Sequence, residues 1–450
     1  MPQKPETGRR PGGRGESPTA GRRVEAPAAT PGNGRLGASD LMERMVDPAN
    51  LRVALQRVKG NKGSPGLDGM TVGELSGWLR AHWQATRERL LAGRYEPQAV
   101  KRQAIAKRGG GVRELGIPTV VDRFIQQALL QVLQPDFDRT FSEHSHGFRP
   151  GRRAHDAIKE AQRYVQEGRR WVVDVDLEKF FDRVNHDVLM GRLAKRIADR
   201  RVLRLIRRYL EAGVMLHGVV VERHEGTPQG GPLSPLLANV LLDEVDKELE
   251  RRGHAFVRYA DDCNIYVRSK KSGERVMSAL AKLYDCLRLR INHAKSAVDL
   301  AQRRKFLGYS LWFGPGGTVK RRVASQALKE FKERVREITS RNGGRSLPSV
   351  GEELAVYLRG WKNYFQLAET PRIFSDLDEW IRHRLRALQL KQWRRGTTVY
   401  RELVRRGMSG RSAAGIASRT RRWWSTSGKL LNTALPNRWI TDLGVPRLGA

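Results

Sequence analysis

The sequence predicts an α+β core followed by a mainly helical region. Up to about residue 312, segments with helical periodicity and short β-branched segments are mixed without regular alternation, which is typical of α+β proteins. Beyond Ala324, apolar residues recur at helical spacing almost to the end of the chain. Hydrophobic residues make up 39% of the 450 residues, enough to form real cores, so disorder of the whole chain is excluded.

Periodicity and turn-forming residues predict the elements of the core in order. Predicted helices cover residues 40–46, 51–58, 75–91, 121–133, 154–167, 189–210, 236–251 and 276–287. Predicted strands lie within 95–117, with Gly109 to Gly111 as a hairpin tip, and at 171–176, 256–267 and 306–312. Residues 256–267 are expected to form two short strands with polar residues at the reversal.

The chain is strongly basic. It contains 84 Lys and Arg residues against 48 Asp and Glu residues, which gives a formal net charge of +36. A compact protein with this charge repels itself, so a polyanionic partner is expected. Aromatic residues make up 7% of the chain, which favours single-stranded or structured nucleic acid over a membrane surface. No apolar run approaches the about 18–20 residues that are needed to span a bilayer.

The cysteines and the N-terminus indicate where the protein works. Two cysteines, Cys263 and Cys286, exclude a disulfide framework and a cysteine-rich zinc site, and they indicate a reducing compartment. Residues 1–40 lack the apolar core of a signal peptide, so a cytoplasmic location is expected. This segment is rich in Gly, Pro and Arg and predicts a flexible basic arm, which either contacts nucleic acid or is a solvated tail.

Two pairs of aspartates lie in otherwise apolar surroundings. Asp174 and Asp176 are two residues apart in a predicted buried strand, so they share a face near the end of that strand. Asp261 and Asp262 are adjacent at a predicted hairpin turn. Enclosed carboxylates are costly unless they are paired or bind cations, so turn aspartates paired with arginine remain one explanation. Carboxylates from two separated strands are also the ligands that Mg²⁺ recruits in phosphoryl transfer, which favours a metal site.

Three motifs resemble those of reverse transcriptases, in the same order and at similar spacing. Residues 176–187 (DLEKFFDRVNHD) resemble the first palm motif, and residues 226–239 (GTPQGGPLSPLLAN) resemble the segment that lines the nucleotide pocket. Residues 259–262 (YADD) resemble the catalytic box. A match of four residues arises easily by chance, whereas three motifs in order are a specific signal.

Further motifs resemble one branch of that family, the reverse transcriptase/maturases encoded by group II introns. The similar segments are an extra N-terminal motif at 62–69, finger motifs at 115–118 and 141–151, and late palm elements at 292–296 and 306–309. Residues 433–448 resemble the compact bacterial lineage that lacks an endonuclease domain. The resemblance covers roughly residues 50–450.

The resemblance implies a right-hand polymerase architecture, in which fingers and palm carry an antiparallel sheet. It divides the chain into a basic arm (1–40), an N-terminal extension of the fingers (41–94), fingers and palm (95–312), an α-helical thumb or maturase (X) region (313–393) and a small basic C-terminal region of DNA-binding type (394–450).

By this resemblance Asp176, Asp261 and Asp262 are the catalytic carboxylates and the ligands of Mg²⁺, or alternatively of Mn²⁺. Asp174 competes with Asp176, but the five-residue step to Phe181 fits the motif only from Asp176. Phe181 is then expected beneath the incoming sugar, where a bulky ring can exclude a 2′-hydroxyl. The alternative for Phe181 is an ordinary core position.

Other nucleotide-binding residues are assigned in the same way. Gln229 and Gly230 are expected at the floor of the nucleotide pocket, since glycine lets the backbone approach a ligand closely and Gln can donate to a sugar or phosphate. Lys295 matches the position in the late palm motif that approaches the triphosphate. It is also a candidate general acid for the leaving pyrophosphate.

Cations at the predicted hairpin tip form a further candidate group. Lys107 and Arg113 flank the tip and could close over the triphosphate, as Lys and Arg do on transferring phosphoryl groups. Lys101, Arg102 and Arg108 are near enough in sequence to compete for that role, and a solvated surface position is open for each of these cations.

The region 394–450 combines twelve Lys and Arg residues with two acidic residues. Its segment 419–424 (RTRRWW) places cations beside rings, as contacts to single strands or RNA loops require. The nucleic-acid-binding residues predicted there are Arg419, Arg421, Arg422, Trp423 and Trp424. The alternative is a helical domain in which the tryptophans are core and the arginines are solvated.

The resemblance thus implies an RNA-directed DNA polymerase of a group II intron that binds intron RNA and promotes its splicing and mobility. The expected partners are intron RNA, an RNA template, a DNA primer or target, and deoxynucleoside triphosphates, in a bacterial cytoplasm. Two alternatives are an RNA-binding maturase with a vestigial polymerase and a domesticated or defence-associated reverse transcriptase. The intact Asp176, Asp261 and Asp262 argue against a vestigial site.

Overall fold

The computed structural model describes residues 40–106, 111–216, 219–221, 225–341, 343–419 and 422–449. Its strands are β1 (Val100–Ala106), β2 (Val112–Ile117), β3 (Trp171–Val175), β4 (Val214–Leu216), β5 (Val219–Val221), β6 (Ala255–Tyr259), β7 (Asp262–Val267), β8 (Ala297–Leu300), β9 (Lys305–Phe306), β10 (Tyr309–Phe313) and β11 (Val319–Val323). Its helices are α1 (Leu41–Met45), α2 (Pro48–Gly60), α3 (Leu75–Leu91), α4 (Val120–Asp138), α5 (Ala154–Gln166), α6 (His186–Ala194), α7 (Arg200–Glu211), α8 (Ser234–Arg251), α9 (Lys270–Cys286), α10 (Ser325–Ile338), α11 (Leu347–Phe365), α12 (Pro371–Trp393), α13 (Gly396–Arg405), α14 (Gly410–Ala417), α15 (Trp423–Thr426) and α16 (Asn437–Asp442).

Four antiparallel strands form the sheet that carries both aspartate pairs. The strand order is β6-β7-β3-β8, so β3 is central. Val172, Val173 and Val175 of β3 are buried. Helix α9 packs closely on one face through Gly273, where an added Cβ would lie 2.4 Å from the side chain of Val298. The sheet therefore supplies a rigid base for the carboxylates at its end.

Two smaller sheets flank this arrangement. The order β2-β1-β4-β5 pairs the long β1–β2 hairpin with a short second hairpin, through a parallel contact of β1 with β4. Strands β9, β10 and β11 form an antiparallel sheet immediately before the helical region. The second of these sheets is formed by consecutive segments, whereas the first joins two hairpins that are distant in sequence, through the pairing of Val100 with Val214.

The buried apolar residues that the structure describes form four clusters. The largest runs from Leu41 to Ile291 and joins the N-terminal helices to the sheet that carries the aspartates. A second holds α10, α11 and α12 together with Ile440 and Leu448 near the C-terminus. A third joins α5 to the sheet that carries the aspartates and to strands β10 and β11. A fourth, separate cluster is built from α13, α14 and residues around Leu435. The prediction of an α+β core followed by a helical region is confirmed.

The predicted helix at 189–210 is wrong in its continuity, because the structure has two helices, α6 and α7, in its place. Asp199 starts α7 by accepting a hydrogen bond from the backbone N of Arg201 at 2.9 Å. Its other carboxylate oxygen accepts from the backbone N of Met42 at 3.2 Å. A contact with α1, far away in sequence, thus stabilises the break, and apolar periodicity carries no signal of it.

The predicted strand at 306–312 is also wrong, since β9 and β10 are separated by Leu307 and Gly308. Both residues have positive φ, 49° and 77°, which turns the chain back on itself. The sequence pattern does not predict the strands β4, β5, β8 and β11, each of five residues or fewer. None of the described helices is both long and apolar enough to cross a membrane.

Candidate active site

The strand register brings the two aspartate pairs to one end of the sheet. Val175 of β3 pairs with Cys263 of β7, so one further step along this register sets Asp176 opposite Asp262. Opposite residues of antiparallel strands lie on one face with their Cβ atoms about 4.5–5.5 Å apart. Asp174 shares that face because side chains alternate along a strand. Pairs of carboxylates that are distant in sequence therefore meet.

A tight hairpin presents the second pair. Tyr259 pairs with Asp262, which leaves Ala260 and Asp261 as a two-residue turn. Ala260 has a φ of 58°, a left-handed conformation that costs energy for a residue with a side chain. The turn places Asp261 and Asp262 next to each other at the sheet end, as the sequence pattern predicts.

The two aspartates of the β3 segment have different partners. Asp174 Oδ2 accepts from Arg304 Nε at 2.8 Å and lies 2.6 Å from Arg304 Nη2, so a forked arginine neutralises it. Asp176 Oδ2 lies 3.4 Å from Nζ of Lys295, which is itself mostly exposed. The motif spacing favours Asp176 over Asp174 as the metal ligand. The arginine pairing of Asp174 supports Asp176.

Asp262 has an unfavourable electrostatic environment. Its partial removal from bulk water and the negative charge of Asp261 raise the pKa of Asp262 to about 7. Asp174 and Asp176 add to this repulsion, while Lys295 opposes it. The residue still keeps contact with solvent at the sheet end. A divalent cation would relieve this accumulation of negative charge.

The carboxylates supply the hard oxygen donors that Mg²⁺ prefers. Among the residues that the structure describes, no group of three or more His, Cys, Asp or Glu side chains is placed so that it could hold a metal ion by itself. Mg²⁺ is usually held by one or two carboxylates, while waters and substrate phosphates complete its shell. Opposed carboxylates at an open sheet end therefore fit an ion that binds together with a phosphate-bearing substrate.

A large cleft lies in front of these carboxylates. It has a volume of about 1010 Å³, and Asp174, Asp176 and Asp262 form part of its wall. The wall also includes the Leu307–Gly308 turn and the first turn of α10, residues 325–328. The carboxylates thus face the start of the helical region across this cleft.

A second cavity, of about 490 Å³, collects three of the predicted nucleotide-binding residues: Phe181, Gln229 and Gly230. The backbone N of Thr227 donates to the carbonyl of Phe181 at 2.7 Å, which ties the two motifs together. Gly230 has a φ of 140°, and an added Cβ would lie 2.9 Å from the carbonyl oxygen of Gly116. Lys295 does not line this cavity and instead borders the aspartate cleft.

Two further side chains that line this cavity, Phe148 and Arg123, are not among the nucleotide-binding residues predicted from the sequence. Phe148 is 40% exposed, and its ring meets that of Phe181 edge to face with centroids 6.4 Å apart. Arg123 also lines the cavity, and its Nη2 donates to the carbonyl of Ser64 at 2.7 Å. An aromatic residue in the turn-rich motif Gly-Phe-Arg-Pro-Gly at 147–151 was the available signal for Phe148.

Several predicted residues are placed only in part. Lys107 and Arg421 lie outside the described residues, and Arg113 is described only as a backbone position of β2. Arg419 and Arg422 are exposed, and Trp423 begins α15. Of the nucleic-acid-binding residues predicted in the C-terminal region, the structure thus describes the side chains of Arg419, Arg422 and Trp424.

Trp424 lies on the surface against helix α12. Its ring stacks on His383 with centroids 3.8 Å apart and an interplanar angle of 28°. The ring nitrogen Nε2 of His383 lies 2.7 Å from the carbonyl oxygen of Trp424. Trp424 is nevertheless 45% exposed, so it is a surface aromatic with one supported face rather than a core residue.

Comparison with known proteins matches two parts of the chain. Residues 105–311 match the reverse transcriptase (RNA-dependent DNA polymerase) family, and residues 328–407 match the maturase-specific domain of group II introns. Protein YkfC of Escherichia coli (strain K12) is 36% identical over 218 residues, which is 47% of this chain and 57% of YkfC.

The group II intron-encoded protein LtrA of Lactococcus lactis subsp. cremoris is 29% identical over 348 residues, which is 62% of this chain and 58% of LtrA. A solved chain of a partial Cas6-RT-Cas1–Cas2 complex is 25% identical, with a TM-score of 0.36, over 54% of this chain and 42% of that chain. The present chain spans somewhat more than half the length of both YkfC and LtrA. It carries a reverse transcriptase domain followed by a group II intron maturase domain, and it is homologous to the group II intron-encoded proteins.

Proposed function

We propose that this protein is an RNA-directed DNA polymerase encoded by a group II intron, and that it binds intron RNA to promote splicing and mobility. The observation that carries the proposal is that Asp176 and the Asp261–Asp262 hairpin meet at the end of one sheet. They face a cleft whose other wall is the start of α10, the helix that enters the maturase-matched region. An RNA template with its DNA primer would occupy this cleft.

Asp176, Asp261 and Asp262 would hold Mg²⁺, with Mn²⁺ as a substitute. When bound, the metal would activate the primer hydroxyl and neutralise the leaving pyrophosphate. Lys295, 3.4 Å from Asp176, would contact the triphosphate, as Lys107 and Arg113 would from the β1–β2 hairpin. Phe181, Gln229 and Gly230 would line the sugar side of the incoming deoxynucleotide, because they share one cavity.

The larger regions of the chain would hold nucleic acid at this site. Residues 95–312, which contain the candidate active site, would act as fingers and palm, residues 41–94 as an N-terminal extension of the fingers, and the helices of 313–393 as the thumb or maturase region. The basic region 394–450, with Arg419, Arg421, Arg422, Trp423 and Trp424, would bind target DNA. The net charge of +36 supports a polyanionic partner for the whole chain, which we place in the bacterial cytoplasm.

Primer extension on an RNA template annealed to oligo(dT), with Mg²⁺ and deoxynucleotides, tests this function. The unmutated protein should make complementary DNA, Asp261→Ala should make none, and the exposed-residue control Asp285→Ala should match the unmutated protein. Splicing of a group II intron RNA should be stimulated by all three proteins, since RNA binding does not need Asp261. Splicing without DNA synthesis by the unmutated protein would instead identify a maturase with a vestigial polymerase.

A further inference from the structure

A buried arginine lies directly behind the candidate catalytic hairpin. Arg258 of β6 and Asp246 of α8 are both 0% exposed. Arg258 Nε donates to Asp246 Oδ1 at 2.8 Å, and Nη2 donates to Oδ2 of the same carboxylate. Two hydrogen bonds therefore join the guanidinium to the two carboxylate oxygens, and this bidentate geometry fixes the orientation of both groups.

The other end of the guanidinium reaches the turn itself. Arg258 Nη1 donates to the carbonyl oxygen of Ala260 at 2.9 Å and to Asn239 Oδ1 at 2.9 Å. The carbonyl of Ala260 belongs to the peptide group that joins it to Asp261. This hydrogen bond therefore fixes the peptide plane from which the Asp261 side chain projects, at a residue that already has a positive φ.

A neighbouring segment holds the same hairpin from its outer side. The backbone N of His146 donates to the carbonyl of Arg258 at 2.8 Å, and the backbone N of Arg258 donates to the carbonyl of His144 at 2.9 Å. Asn239 Nδ2 donates to the carbonyl of Gly147 at 2.9 Å. An added Cβ at Gly147 would lie 2.1 Å from the backbone N of Ala260, so only glycine fits there.

A fully buried ion pair is weak evidence for stability. Well-packed apolar residues of similar volume often replace such a pair without loss of stability, because the pair must be desolvated. The Arg258 side chain also contacts a backbone carbonyl next to the candidate metal ligands and two residues of α8, which an apolar pair could not do. Helix α8 in turn begins at Ser234, which lines the second cavity together with Gln229 and Gly230.

We propose that Arg258 is a positioning residue, which sets the conformation of the Ala260–Asp261 turn and couples it to helix α8 through Asp246 and Asn239. This inference rests on the proposed polymerase function. Arg258 does not contact the substrate in this proposal. It acts by holding Asp261 and Asp262 in the positions that they need for catalysis.

The test uses Arg258→Lys and the apolar double variant Arg258→Met/Asp246→Leu in the full-length protein. Lysine can keep the ion pair with Asp246 but cannot contact Asn239 and Ala260 at the same time, since it lacks the guanidinium fork. The double variant removes both charges together, so no charge is left buried. The control is Arg192→Met/Glu244→Gln, which removes a partly exposed arginine–glutamate pair between α6 and α8.

Thermal unfolding, RNA affinity, steady-state kinetics and Mn²⁺ binding measured by electron paramagnetic resonance are the readouts. In both Arg258 variants we expect an unchanged RNA Kd and a kcat lowered about 10- to 100-fold, the order of effect of a misplacement by about 1 Å. We also expect weaker Mn²⁺ binding, a readout that does not require turnover. The control should keep its kcat and its Mn²⁺ affinity.

Each outcome decides between the two proposals. A folded Arg258 variant with the kcat and Mn²⁺ affinity of the unmutated protein would overturn the positioning role. If Arg258→Lys does not fold, the double variant supplies the same comparison. An unmutated protein that makes no DNA contradicts the polymerase function instead. The Mn²⁺ titration then still shows whether Arg258 positions the carboxylates.

Discussion

At the scale of single residues, two aromatic rings line the cavity in which we propose that the sugar of the incoming nucleotide binds. Phe181 and Phe148 meet edge to face at the wall of the 490 Å³ cavity that also contains Gln229. We predict that Phe181→Ala lowers the preference for deoxynucleotides over ribonucleotides about 10-fold or more, since a bulky ring no longer excludes the 2′-hydroxyl. The ratio of kcat/KM values measures this. Phe148→Ala, the control at the same wall, should lower the ratio less, and an unchanged ratio in a folded Phe181→Ala would contradict the assignment.

Glu160 gives the stability of the protein a defined pH dependence. Burial disfavours the Glu160 carboxylate, but hydrogen bonds from His144 and His146, 2.6 and 2.7 Å away, outweigh it and lower the pKa of Glu160 to about 2. The same contact raises the pKa of His144 above its ordinary 6.5. Stability from His144 is therefore complete below pH 6.5 and is lost as the pH rises through the higher folded-state pKa. Stability from Glu160 is complete above its ordinary pKa of 4.5 and is lost as the pH falls towards 2.

We therefore predict that Glu160→Gln lowers the free energy of unfolding by about 2 kcal/mol at pH 6, the order of a hydrogen bond to a charged group. The loss should be smaller at pH 9, because the stabilisation that comes from the raised pKa of His144 is lost as the pH rises. Urea unfolding at the two pH values measures it. Glu167→Gln, at the exposed end of the same helix, should change stability little at either pH, and an equal loss for Glu160→Gln at both would contradict the proton linkage.

At the scale of elements, the break between α6 and α7 depends on one carboxylate. Asp199 caps α7 and also accepts from the backbone N of Met42 in α1. We predict that Asp199→Ala lowers the free energy of unfolding by about 1–2 kcal/mol, the range for a lost helix cap. Asp199→Asn, which keeps an acceptor, should lose less in the same urea titration. Equal stability of Asp199→Ala and the unmutated protein would show that packing alone fixes the break.

Helices α10 and α12 form an unneutralised basic surface around one ring. Lys332 Nζ, Arg336 Cζ and Arg384 Cζ lie 6.0, 5.7 and 5.4 Å from the ring centroid of Trp380. None of the three forms an ion pair with a carboxylate among the described residues. Burial, and to a lesser extent the nearby charges of Arg336 and Arg341, lower the pKa of Arg384 to about 10.

We predict that Lys332→Gln/Arg336→Gln weakens RNA binding and reduces the slope of log affinity against log salt by about 1.4, at about 0.7 for each phosphate contact to a single strand. Titration of a labelled RNA at several salt concentrations measures the slope. The control Lys271→Gln/Lys282→Gln removes the same charge from α9. A slope that falls equally in both would show that total charge, and not this surface, sets the salt dependence.

At the scale of the whole molecule, the sequence predicts long amphipathic elements better than short or tertiary ones. Helix α3 is predicted to the residue and α8 to within two, because their apolar spacing extends over several turns. The three-residue strands β4 and β5 are too short to show a period, and the break before α7 depends on a contact with Met42.

The candidate site follows the same rule. Motif order and strand alternation place Asp176, Asp261 and Asp262 together, because these are local features joined by one register. The sequence does not reveal that Arg304 neutralises Asp174, or that Arg258 lies behind the hairpin, since both depend on side chains brought together by long-range folding. Charge composition alone cannot show which buried arginines pair with which acids.

Mg²⁺-dependent primer extension by Asp176→Asn, Asp262→Asn and Asp174→Asn tests whether Asp176 and Asp262 hold the catalytic metal, with thermal unfolding to confirm that each variant is folded. We predict that the first two lose activity by about 100-fold or more, which corresponds to about 3 kcal/mol of transition-state stabilisation. Asp174→Asn should keep most of its activity, because its partner is Arg304. Full activity of Asp176→Asn, or a loss in Asp174→Asn as large as in Asp176→Asn, would contradict the assignment of the metal ligands.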